Sequence, residues 1–240
     1  MEENFIVCIP GVWTNREELI KSVAVSTGGE FMFAGEILAH PKGNDHIILE
    51  FYEAYDEMEA AFEYGGQGQL STDTLNKISH HKSVVYLIFP LNVLAQKQRI
   101  AKFTKILSNC GGIAIKVENS GVAHEWNDWF SKIESKNPFD QYSASVILVG
   151  DEKYYYSCGM HTFNLPDSEI SNQIAPEDAT DLLNQFNYWR ITENPQLESG
   201  HTFSLSKDSP HFRLELWQDE RHPSDDLFHN SNGVWSLSRF

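Results

Sequence analysis

The sequence predicts an α+β protein with mixed and antiparallel sheets and packed helices, and three observations carry that expectation. Short runs rich in Val, Ile, Phe and Tyr alternate with amphipathic stretches of helical period, in the order β-α-β-β-α-β-α-β and then α-β-β-α-β-β. Glycine and proline punctuate the transitions, as at Pro10-Gly11, Gly28-Gly29 and Gly111-Gly112. With 41% apolar and 12% aromatic residues among 240, the chain has the material for a substantial core, which excludes bulk disorder.

Residues 5–9 form a continuous apolar run closed by Pro10-Gly11, the pattern of a strand buried on both faces. Thr14 or Asn15 caps a helix over 16–25, with Glu17 and Glu18 favourable in its first turn. Residues 30–39 and 46–55 read as strands on either side of the turn-rich Pro41-Lys42-Gly43-Asn44-Asp45. A short acidic helix is expected over 56–63 and another from Thr72-Asp73 to His80. The clearest strand of the chain covers 83–89, ended by Pro90. Residues 92–109 read as a helix with Val93, Ile100, Phe103 and Leu107 on one side and Lys97, Arg99, Lys102 and Lys105 on the other. Gly111-Gly112 caps it and 113–117 returns to strand. This first portion fits a ferredoxin-like split βαβ arrangement.

A helix over 123–133 holds Trp126 and Trp129, and 143–149 and 153–163 read as a hairpin around Gly150-Asp151-Glu152. Pro166-Asp167 reads as a turn. Pro176 opens a helix that buries Leu182, Leu183, Phe186 and Trp189, and 201–205 and 212–217 are late strands. The last twenty residues are polar, with apolar points at Leu227, Phe228, Val234 and Trp235. A soft boundary at Asn119-Ser120-Gly121 divides the chain into residues 1–119 and an acidic part, 120–240; a single compact body accommodates the same pattern.

Eighteen Lys and Arg face 34 Asp and Glu, a formal charge of −16. That balance argues against nucleic acid, whose phosphates reward clustered bases, and against an anionic membrane surface. No apolar run approaches the roughly 18 residues of a membrane span, and the run ending at Pro10 is too short for a secretion signal. Three cysteines at wide spacing (Cys8, Cys110, Cys158) imply no disulfide framework, so the expected setting is cytoplasmic. The charge is uneven: residues 1–120 hold 15 acids and 10 bases, and residues 121–240 hold 19 and 8.

Cys158-Gly-Met-His161, with His201 and His211 downstream, has ligand types that zinc favours. On a strand, however, residues three apart face opposite ways, and no second ligand pair follows; no metal and no cofactor are expected. His124, Glu125 and Asp128 are spaced for one helix face, a pattern that ordinary ion pairing accounts for. Gly65-Gly66-Gln67-Gly68 lacks the Lys-Ser/Thr of a phosphate loop, and neither a Gly-x-Ser-x-Gly elbow nor a His-Glu-x-x-His helix occurs. An enzyme in this sequence would place its site at Cys158, His161 and His201.

The run Gly159-Met160-His161-Thr162-Phe163-Asn164-Leu165-Pro166-Asp167-Ser168-Glu169, with Gly200-His201-Thr202-Phe203-Ser204-Leu205 and Gly233-Val234-Trp235, resembles the bacterial family catalogued as domain of unknown function 4261, over about residues 120–240. The resemblance implies an α+β fold and a stand-alone cytoplasmic bacterial protein, of a kind that in some cases sits among toxin and immunity genes. Combined with the acidity and the lack of a catalytic motif, the expectation is a non-enzymatic immunity protein that binds a basic toxin directly. Asp219, Glu220, Asp225 and Asp226, then Asp56, Glu57 and Glu59, are the acids expected to face that partner.

Overall fold

The deepest strands occur where the sequence is most continuously apolar. In a computed structural model, which describes residues 4–239, the chain divides between Lys136 and Asn137 into two units, each with a sheet of its own. The turn at Asn119-Ser120-Gly121, where the sequence offers a boundary, lies inside the first unit.

The first unit runs β1 (Asn4–Gly11), α1 (Arg16–Ser26), β2 (Met32–Ala34), β3 (Ile37–Ala39), β4 (His46–Glu53), α2 (Met58–Gly66), α3 (Thr72–Ser79), β5 (Ser83–Pro90), α4 (Val93–Asn109), β6 (Ile115–Val117), β7 (Ala123–His124) and α5 (Trp126–Ile133). Its sheet has the order β2-β3-β4-β5-β1-β6-β7. β5 pairs antiparallel with both β1 and β4, so β1 and β4 run the same way with β5 inserted between them. β1 likewise lies between β5 and β6. These are the two interleaved crossovers of the split βαβ arrangement, with a hairpin, β2–β3, added at one edge and β7 at the other.

Alternation along the central strands feeds two cores. Phe89 of β5 meets Phe5 of β1 and Phe103 of α4, so Phe89 and the residues alternating with it pack on the α4 side. Val84 and Cys8 join Met58, Phe62 and Ile78 of α2 and α3. A strand covered by helices on both faces must be apolar at every position, which is why β1 and β5 read as unbroken runs. Asn15 caps α1 by accepting from the Glu18 amide at 3.0 Å, while Glu18 accepts from the Thr14 amide at 2.7 Å. The helix expected over 123–133 starts later, because Ala123 and His124 pair with β6.

The second unit comprises α6 (Pro138–Ser145), β8 (Ile147–Gly150), β9 (Tyr154–Cys158), a single 3₁₀ turn (Met160–Phe163), β10 (Asp167–Ser171), α7 (Pro176–Glu193), β11 (Thr202–Phe203), β12 (Phe212–Trp217) and β13 (Val234–Arg239). The sheet order is β11-β12-β13-β10-β9-β8. Three elements differ from the sequence reading, besides the early end of β9 at Cys158. Residues 138–145 are helical because Asn137 caps the segment and Pro138 opens it. Asp167 opens a strand rather than closing a turn. β13, drawn from the polar last residues, sits at the centre, parallel to β10 and antiparallel to β12. Its inward residues, Trp235 and Leu237, join Ile170, Leu214, Leu183 and Phe186 in one core beneath α7.

Packing of α2 on the β6–β7 turn leaves no room at Gly65: a Cβ there would lie 2.0 Å from the Gly121 carbonyl oxygen. Gly65→Ala should therefore cost about 1–3 kcal/mol, read as a lower urea midpoint at unchanged slope.

Candidate functional site

One face of the second sheet carries α7 and its core; among the described residues of the unit, no helix packs on the other. Strand alternation puts Tyr154, Tyr156, Glu169, Glu215, Trp217, Ser236 and Ser238 on this open face. Most of them line a groove of about 700 Å³ that also includes Asp151, Glu220 and Arg221. Trp217 is 58% exposed and Leu216 beside it 43%. An indole so exposed at the end of a strand adds nothing to the core and offers a large, rigid contact surface.

Arg221 organises the groove. Its guanidinium lies 4.2 Å from the Tyr156 ring centre and 5.6 Å from that of Tyr154. It also pairs with Glu169, and with Asp151 at 3.3 Å. Burial works against its charge, but the two carboxylates prevail and raise its pKa further. Asp151 and Glu169 are thereby neutralised, whereas Glu215 and Glu220 form no ion pair among the described residues. The groove therefore holds two engaged and two unengaged carboxylates against Arg221 and Lys153.

The loop bearing Arg221 is folded around Asp219. The Asp219 carboxylate accepts from the amides of Arg221 at 2.9 Å and Asn230 at 3.0 Å, and lies 3.3 Å from His222 Nδ1 and 3.7 Å from His229 Nδ1. Burial pushes its pKa up, but these donors hold it below the ordinary value. Asn230 in turn donates to Asp167 at 2.7 Å and to the Leu165 carbonyl at 3.0 Å.

Asp167 is buried. Its other oxygen accepts from Ser157 Oγ at 3.0 Å and the Met160 amide at 3.1 Å. Burial raises its pKa in spite of these donors and of the nearby charge of His161. The network continues inward: the Ser168 amide donates to Ser157, Ser168 to Asn187, and Asn187 to the Tyr142 hydroxyl. Gly159, at φ +115°, breaks β9 so that the Met160 amide can turn back on Asp167.

Set against the sequence reading, the acids separate. Glu220, Asp225 and Asp226 are exposed, and Asp226 accepts from the Phe228 amide at 2.8 Å. Asp219 does not belong with them: its side chain is 4% exposed and wholly engaged within the loop. Asp56 and Glu57 precede α2 and Glu59 lies in its first turn, where acidic groups complement the helix dipole. Cys158, His161 and His201 do not converge. His201 precedes β11, four strand spacings or about 19 Å from β9 across the sheet. Nor do Cys158 and His161 share a strand as expected, since β9 ends at Cys158 and His161 lies in the following 3₁₀ turn, both side chains buried. Burial, aided by Asp167, pushes the Cys158 thiol well up, away from the reactive thiolate. Among the described residues, no three His, Cys, Asp or Glu side chains are grouped to hold a metal, and no helix is long and apolar enough to cross a membrane.

In the first unit, His124 Nδ1 and Asp128 lie 2.6 Å apart, and Lys132 reaches the same oxygen at 2.8 Å. Glu125 accepts from the Ser71 amide and the Thr74 hydroxyl at the start of α3. The three residues thus serve two separate contacts rather than one acid–base face. Sequence reasoning missed Glu169, Glu215, Trp217 and Arg221; the signal available was the alternation Arg213, Glu215, Trp217 against Phe212, Leu214, Leu216 along β12.

The model of the family described as domain of unknown function (DUF4261) matches residues 156–225. That span takes in Asp167, Glu169, Trp217 and Arg221, as well as the runs at 159–169 and 200–205; Gly233-Val234-Trp235 lies beyond it. No curated protein and no solved structure matches the chain.

Asn230→Ala removes the donor to one buried oxygen of Asp167 and should cost about 1.5–3 kcal/mol in urea unfolding at neutral pH. The hydrogen bond from His124, then that from Lys132, lowers Asp128 from 3.8 to about 2. A depressed carboxylate stabilises the fold above its unfolded pKa, and that contribution disappears as pH falls through the folded one. Melting temperatures of the wild type and Asp128→Asn should accordingly differ at pH 6 and converge between pH 3.8 and about 2.

Proposed function

We propose that this chain is a non-enzymatic binding protein, an immunity protein that neutralises a basic bacterial toxin by covering it, and that the open groove of the second sheet is the docking surface. The observation that carries this reading is the exposed Trp217 beside Glu215 and Glu220, two carboxylates left without ion pairs among the described residues. An aromatic anchor flanked by unpaired like charge is how a surface both speeds encounter with an opposite charge and holds it after contact. Half of the groove's lining, including Glu169, Glu215, Trp217, Glu220 and Arg221, lies in the stretch that matches the family model. Glu220 keeps the role expected of it, Asp225 and Asp226 extend the acidic field along the adjoining loop, and Glu215 and Trp217 join them. A cytoplasmic setting accords with Cys8, Cys110 and Cys158, all buried and none in a disulfide.

The test first looks for a basic toxin domain encoded beside this chain's gene, whose absence would count against the reading, and then uses that domain in a growth-rescue assay and a binding titration. The full chain should rescue growth and bind tightly, more slowly as salt is raised. Trp217→Ala should weaken binding by at least about 2 kcal/mol, roughly thirtyfold, and Glu215→Lys with Glu220→Lys should abolish rescue while leaving the melting temperature within a few degrees. Full rescue by the charge-reversed, folded variant would sink the proposal.

A further inference from the structure

A cleft within the first unit has the opposite charge. It measures about 560 Å³, the size of sites that take small molecules. Its floor is apolar, with Ala101, Ile106 and Ile133 all buried. Around it stand Lys97, Lys102 and Lys105 of α4 and Lys136 beyond α5, with Glu134 the one carboxylate among the described residues of the lining.

Two of the four lysines are already committed. Lys97 donates to the Ser135 carbonyl oxygen at 2.8 Å, and Lys102 pairs with Asp45. Lys105 extends over the Phe130 ring at 4.3 Å from its centre. Neither it nor Lys136 forms an ion pair among the described residues, in a chain where acids outnumber bases 34 to 18. Lys102 and Lys105, three apart on one helix, repel each other. A solvated basic helix face explains lysines but not a buried apolar floor between them; ordinary core packing explains the floor but not the lysines.

We propose that this cleft binds a small organic anion with an apolar body: an aromatic or short alkyl carboxylate, sulfonate or phosphate ester. Its charge meets Lys105 and Lys136, and its apolar part rests on Ala101, Ile106 and Ile133. The site is independent of the groove on the second sheet.

The probe is anilinonaphthalene sulfonate, titrated by fluorescence into the full chain, with neutral phenylnaphthylamine as its uncharged counterpart. One saturable site is expected, with the sulfonate bound about tenfold tighter than the neutral compound. Lys105→Glu with Lys136→Glu should weaken the sulfonate by about tenfold or more and leave the neutral compound within about twofold. Lys207→Glu, an exposed residue of the second unit, should change neither. Thermal unfolding verifies that each variant is folded, and the two single variants, each expected to lose about threefold, carry the test if the double variant is not. Equal affinity for the two probes, undiminished sulfonate binding by the folded variants, or no saturable binding would overturn the assignment.

Discussion

The second unit depends on one carboxylate that is almost closed off from water. Asp167 opens β10 and gathers donors from three segments: Ser157 on β9, the Met160 amide after it, and Asn230 before β13. Burying an ion costs several kcal/mol, offset here by the nearby charge of His161 and by these donors. The arrangement therefore tolerates little displacement of the strands on either side of β10. Glu169 follows two residues later on the same face of the same strand, so holding Asp167 also sets where Glu169 meets Arg221. The groove is a surface feature with a buried foundation.

The charge of −16 is a sum over unlike surfaces. In the second unit, carboxylates surround an exposed indole on the open face of a sheet. In the first, lysines of α4 and Lys136 ring a small apolar cleft. Net charge governs solubility and long-range attraction, whereas recognition is decided within about a Debye length, where each surface presents its own sign. A single acidic protein can thus hold a site for a cation-rich partner and another for an anion.

Most of the first unit was legible because its central strands are buried on both faces and its helices announce themselves by caps and periodicity, as at Asn15 and along α4. The second unit was harder for identifiable reasons. Pro166-Asp167 has the composition of a turn, and only burial distinguishes a strand-opening Asp from a turn Asp. β13 alternates Trp235 and Leu237 with serines, a pattern too short to stand out in a polar stretch. Asp219 looked like its neighbours Glu220, Asp225 and Asp226, yet the loop closes on it alone. The groove was illegible as a whole because Asp151, Glu169, Trp217 and Arg221 are brought together by strand pairing across long separations, which no local spacing encodes.

The central place of β13 bears on how the chain is made. A ribosome that has delivered everything up to residue 233 has supplied β8, β9 and β10 as one fragment of sheet and β11 and β12 as another, with nothing to join them. Every partner of the first sheet has emerged long before, since its last strand ends at His124. Synthesis thus leaves the two units in unequal states: one with a complete set of strands, the other holding two open edges, Trp217 among them, until the final strand threads between. During that interval the exposed edges of β10 and β12 are the part of this protein most in need of shelter from other nascent chains.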